Sequence, residues 1–155
     1  MRIALYQPDI PQNTGTILRL GGCLGVPVDI IEPCGFAWSD RHLRRAGMDY
    51  LDRVDYRRHD NWERFQSALP GRLVLLSTQA QISFTDFAFG LADTILLGQE
   101  SAGVPEYVHR AADERVLIPM VPGMRSINVA MAAAMVLGEA LRQIGAFPDR
   151  TKEPT

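Results

Sequence analysis

RIALYQPDIPQNTGTILRLGGCLGVPVDII, residues 2–31, decides the fold. Its first five residues are a short apolar run that suits a buried strand, and Pro8 and Pro11 then force a loop. Asn13 opens a helical stretch over residues 13–24 that should end near Gly25. Residues 28–31 are a second, β-branched run, closed by Glu32, Pro33 and Gly35. Strand, helix, strand within thirty residues is a βαβ unit, and its two strands must be parallel.

Outward from that unit, the same periodicities predict strands at 73–76, 94–97 and 115–118 and helices at 61–69 and 126–142. The fold class is therefore α/β with a parallel sheet. A chain of 155 residues supports one core, so a single domain is expected over residues 1–147, with the charged, proline-containing residues 148–155 as a disordered tail. A hydrophobic share of 46% with 22% charged residues excludes the disordered and fibrous classes. Cys23, Cys34, His42, His59 and His109 have no zinc-type spacing, so no metal is expected. The amino terminus lacks the long apolar core of a signal peptide, which points to the cytoplasm.

The last predicted helix is apolar over almost all of residues 127–137, yet too short to span a membrane. An apolar helix without a polar face must be covered on all sides, which suggests that its own sheet and a partner subunit share it.

A net charge of −2 gives no global attraction to nucleic acid, so any such contact must be local. The strongest candidate is residues 39–60, which hold Arg41, His42, Arg44, Arg45, Arg53, Arg57, Arg58 and His59, with Trp38, Tyr50 and Tyr56 as stacking groups. Asp40, Asp49, Asp52, Asp55 and Asp60 are interleaved, so the segment reads equally well as a salt-bridged, solvated face.

Ligands in open α/β sheets bind at the carboxyl ends of strands. Three such loops stand out: residues 77–81, LLGQESAGVP at 96–105, and IPMVPGMRSIN at 118–128. Gly98 and Gly103 would let backbone approach a ligand, and Ser126 is expected to cap the last helix beside free amides. Each loop alone could equally be a simple turn. No GxSxG elbow, P-loop or GxGxxG fingerprint occurs, which argues against a serine hydrolase, a P-loop nucleotidase or a nicotinamide enzyme. Arg19 is a lone charge among Ile17, Leu18, Leu20, Cys23 and Leu24, and could face solvent or a site.

PQNTGTILR at 11–19, LLGQESAGVP and IPMVPGMRSIN, taken together and in this order, resemble the SPOUT superfamily of RNA 2′-O-methyltransferases over nearly the whole chain. IIEPCGFAWSD at 30–40 and RRAGMDY at 44–50, without an added RNA-binding domain, resemble its minimal tRNA wobble-nucleotide members, the TrmL or YibK-like group. The resemblance implies a deep carboxyl-terminal trefoil knot holding S-adenosylmethionine at Leu76, Gly98, Ile118 and Ser126, and a homodimer through the last helix. It implies a tRNA substrate, methylated on the ribose of nucleotide 34, cytidine or modified uridine, with leucine tRNAs as the expected isoacceptors. Arg19 and Asn13 would be catalytic, with Arg19 at the acceptor ribose. Glu100, Arg125 and Asn128 would shape the site and the dimer contacts, and Arg41, Arg44 and Arg45 would meet the RNA. No DNA, membrane or metal partner is implied.

Two departures from the family pattern stand out. Gly138 replaces a tyrosine that often precedes Glu139, and INVA at 127–130 replaces LNLS. Rival readings keep the fold but move the target to another tRNA or a ribosomal RNA position, or drop catalysis and leave an RNA-binding module.

Overall fold

A computed structural model describes residues 1–45 and 51–152. Asp49, Tyr50 and much of RRAGMDY lie outside the described residues, as do residues 153–155 of the expected tail.

The opening βαβ unit forms as predicted: β1 (Arg2–Tyr6), α1 (Pro11–Leu24) and β2 (Val28–Ile31). The helix starts two residues earlier than expected, because Pro11 fits its first turn, where no amide is needed for the helix ladder. Gly25, in the left-handed conformation at φ 67°, ends it.

The chain continues through α2 (Asp40–Arg45), a 3₁₀ turn at Leu51–Arg53, β3 (Tyr56–His59), α3 (Trp62–Ser67) and β4 (Leu73–Leu76). Then follow β5 (Ile82–Ser83), β6 (Thr94–Leu97), α4 (Glu106–Ala111), β7 (Glu114–Leu117) and α5 (Val129–Ile144). The seven strands form one sheet in the order β3-β2-β1-β6-β4-β7-β5, and every pairing is parallel.

Alternation along the strands feeds two cores. Ile3 and Leu5 of β1 and Val74 of β4 join the face covered by α1 and α5, while Ala4, Tyr6, Leu73 and Leu75 join the face covered by α3 and α4. Both faces are thus roofed by helices, which is why the strands carry apolar residues on both sides.

Two sequence expectations change. Ser126 does not cap the last helix: Asn128 does, its side-chain oxygen accepting from the amides of Ala130 at 2.9 Å and Met131 at 3.2 Å. Asparagine competes well for a cap, and the helix therefore begins at Val129. Nor does this chain bury α5 on all sides. Ala132, Ala133, Val136, Leu137, Ala140 and Leu141 are buried, but Met131 is 62% and Met135 43% exposed. None of the described helices is long and apolar enough to cross a membrane.

Candidate cofactor cleft

The carboxyl ends of β4, β6 and β7 open into a cleft of about 610 Å³. That volume lies within the roughly 300–1,000 Å³ of small-molecule sites. Leu76, Gly98, Ile118 and Ser126, the four positions expected to hold the cofactor, all line it, and so do Glu100, Arg125 and Asn128. The strand order reverses between β1 and β6, but the cleft lies to one side of that point, over β6, β4 and β7.

The loop after β6 is tightly closed. The Gln99 amide donates to the Gly103 carbonyl at 2.9 Å, and the Gly103 amide returns a bond to Gln99 at 2.8 Å. Gly103 sits at φ 62°, a conformation glycine adopts without strain. A side chain at Gly98 would place its Cβ 2.6 Å from the Gly103 carbonyl carbon. Both glycines are therefore required by the turn itself.

That loop is braced against the one after β1. Gln99 donates through its side-chain amide to the Gln7 carbonyl at 2.9 Å, steadying a residue held at φ 42°. Asp9 accepts from the Glu100 amide at 3.3 Å and from the Ser101 hydroxyl.

Three of the anticipated site residues meet in one cluster. Asn13 of α1 donates to the Glu100 carboxylate, Asn128 donates to Asn13 Oδ1 at 3.1 Å and to Glu100 at 3.4 Å, and the Val129 amide donates to Glu100 at 3.2 Å. A carboxylate at the first turn of α5 suits the partial positive charge there. The cluster pins α1, the β6 loop and the start of α5 together.

The other candidates fall elsewhere. Asn13 is engaged in that cluster and lines a smaller crevice beside the cleft rather than the cleft itself. Arg19 lies on the exposed side of α1 with Gln12, Thr16 and Cys23, outside the cleft lining. Arg41, Arg44 and Arg45 are exposed on α2, and Arg44 pairs with Asp52 at 3.3 Å.

Beside α2, Trp38 and Tyr56, two of the expected stacking groups, form a platform that also takes in Phe36. Trp38 is flanked by Phe36, with ring centroids 6.3 Å apart, and by Tyr56 at 5.8 Å, while the Arg58 guanidinium sits 4.7 Å from the Trp38 ring. Arg58 also pairs with Glu32 at 2.5 Å. The stacking of Trp38 on Tyr56 depends on β3 folding alongside β2.

At Gly138 a Cβ would meet nothing within 4 Å, so the chain leaves open space for a side chain at that position. Among the described residues no group of three or more His, Cys, Asp or Glu side chains could hold a metal ion.

Fold and cleft together define an α/β protein that binds a small ligand at the carboxyl ends of parallel strands. Residues 1–138 match the SpoU rRNA Methylase family, and the chain belongs to that family. It is 64% identical, over 94% of its length and 92% of the relative's, to a protein of Beijerinckia indica subsp. indica named tRNA (cytidine(34)-2′-O)-methyltransferase. A solved structure described as giving structural insights into the 2-OH methylation of C/U34 on tRNA superposes with a TM-score of 0.87 at 40% identity, covering 92% of this chain and 94% of that one. An AdoMet-bound rRNA methyltransferase from Sinorhizobium meliloti superposes at 0.80 with 26% identity, covering 91% of this chain and 55% of the other.

Proposed function

We propose that this chain is an S-adenosylmethionine-dependent methyltransferase that 2′-O-methylates the ribose of nucleotide 34 in tRNA. The observation that carries the reading is the cleft: three separate loops of a SpoU-family chain converge there, with Leu76, Gly98, Ile118 and Ser126 on its walls. The relatives named for methylation at cytidine 34 supply the substrate. The cleft's volume, the close backbone turn at Gly98 and the apolar walls at Leu76 and Ile118 fit an adenosyl group.

When bound, S-adenosylmethionine supplies an electrophilic methyl on a sulfonium. The chain must then hold the 2′-oxygen in line and accommodate the proton it loses. Arg19 orients the acceptor ribose and stabilises charge there; a guanidinium stays protonated, so a phosphate or water takes the proton. Asn13 acts through its bonds to Glu100 and Asn128, which set the start of α5 at the cleft edge.

The working form is a homodimer in the cytoplasm. Supporting it are the apolar residues that one chain leaves exposed, Met131 and Met135 on α5 and Val121 and Met124 in the loop before it. Arg19 lies outside its own chain's cleft lining, and in this reading it serves the partner's cleft. The carboxyl-terminal trefoil knot belongs to the same reading, supported by family membership. Arg41, Arg44 and Arg45, with the Trp38 platform, grip the anticodon loop, leucine tRNAs being the expected substrates.

The test is transfer of labelled methyl from S-adenosylmethionine to total tRNA from a strain lacking the gene, followed by mapping. Label on ribose 34 supports the reading. Label at another tRNA position or on ribosomal RNA moves the substrate, and cofactor binding without any transfer leaves a binding module.

A further inference from the structure

One residue of the cleft wall carries a buried ring nitrogen without a partner among the described residues. The residue is His109, on α4, and the atom is Nε2. The ring is held from the other side, where the single Nε–H of Arg115 is shared between His109 Nδ1 at 3.2 Å and the His109 carbonyl at 3.0 Å. Arg115 is itself anchored on two backbone carbonyls, that of His109 at 2.5 Å through Nη2 and that of Ala112 at 3.3 Å. A guanidinium has no acceptor atom, so Nδ1 must offer its lone pair and the ring proton sits on Nε2. A buried N–H without an acceptor is unfavourable, and such exceptions call for a cause. The only other such side-chain atom among the described residues, Thr94 Oγ1, lies at the amino end of β6, away from the cleft lining.

We infer that His109 is a direct contact for the adenosyl end of the cofactor, its Nε2–H donating to an uncharged acceptor, a ring nitrogen or ribose oxygen. The inference rests on the cofactor reading of the cleft. Its adenosyl assignment follows from the surroundings. His109 shares the lining with Leu76, Val104 and Ile118, whose apolar surfaces suit a flat heterocycle, and with Glu106, which disfavours a carboxylate there, whereas Arg125 offers the charge that a carboxylate needs.

The experiment is calorimetric titration of S-adenosylhomocysteine and of 5′-methylthioadenosine, which lacks the carboxylate, into the wild-type protein, His109→Leu and His109→Gln. Loss of one hydrogen bond predicts a roughly tenfold weaker Kd for His109→Leu with both ligands, and partial recovery in His109→Gln, whose amide is again a donor. In 15N-histidine-labelled wild type, the His109 Nε2 resonance shifts at saturation with S-adenosylhomocysteine. An unchanged Kd in folded His109→Leu, or a ring resonance that does not move while binding saturates, overturns the inference. Weakening confined to S-adenosylhomocysteine overturns the adenosyl assignment. Wild type that binds neither ligand overturns the cofactor reading itself, and this inference with it.

Discussion

The two ends of the one parallel sheet are made differently. Near the amino ends of β2 and β6, two buried carboxylates are answered by charged partners. Asp29 accepts from Arg2 at 2.7 Å and pairs with His59 at 2.8 Å, and Asp93 accepts from Arg72 at 2.7 Å and from the Gly90 amide at 2.8 Å. The Asp113 carboxylate takes the Leu73 amide at 2.7 Å. At the carboxyl ends the loops are tied to one another by uncharged donors on Asp9, Glu100 and the Gln7 carbonyl, and the His109 ring keeps a nitrogen without a partner among the described residues. Buried ion pairs tie the one end; at the other, a ring nitrogen of a cleft-lining residue has no partner among the described residues. Stability and binding are thereby placed on opposite edges of the same strands.

Substitutions can break that division. Arg19→Ala should lower methyl transfer about 10²–10³-fold while the calorimetric Kd for S-adenosylhomocysteine stays within about twofold. Retained turnover would remove Arg19 from the reaction. Asp29→Ala, at the ion-paired end, should cost about 3 kcal/mol, because Arg2 and His59 lose their shared acceptor. Thermal melts would show this as a fall of roughly 10 °C, with activity per folded molecule unchanged. A drop in cofactor affinity instead would mean that the two ends are coupled.

Gly98→Ala, at the open end, reverses that pattern. Its Cβ meets the Gly103 backbone, so the loop must shift, and cofactor Kd should rise about 30-fold with a smaller change in melting temperature. The double charge reversal Arg44→Glu, Arg45→Glu should weaken tRNA binding about tenfold, most at low salt, in filter-binding assays. Equal affinity would leave α2 as the solvated face that its interleaved aspartates also allow.

The smallest effect concerns Cys34, just beyond β2. Burial, and then the nearby Glu32 carboxylate, push its thiol up to about 11 from an ordinary 9. At pH 8 only roughly a tenth of a per cent is thiolate, so iodoacetamide should alkylate Cys34 slowly, about tenfold faster per pH unit until pH approaches 11. Rapid labelling at pH 8 would show that the region opens.

Much of this fold was legible in the sequence because its strands are buried on both faces and read as plain apolar runs. Residues 73–76 and 94–97 were placed to the residue for that reason. β3 was not, since Tyr56, Arg57, Arg58 and His59 occupy an edge strand in which Arg57 and Arg58 are exposed, and charge hid the strand. β5, two residues long, is defined only by its pairing to β7. Glycine and proline marked the cleft loops, but the cap of α5 was placed on Ser126, two residues before Asn128, whose side chain makes the capping bonds. His109 carried no signal of its own: a lone histidine in a short helix becomes informative only when Arg115 is seen to occupy one ring nitrogen.

The cluster of Asn13, Glu100 and Asn128 joins residues 115 positions apart in the chain. A polypeptide emerging from the ribosome can make β1 and α1 early, but the pocket they help to brace has no edge until Asn128 and α5 have been synthesised. Ligand binding therefore reports on completed chains: a molecule cut short just before residue 128 would carry all seven strands and still be blind to the cofactor.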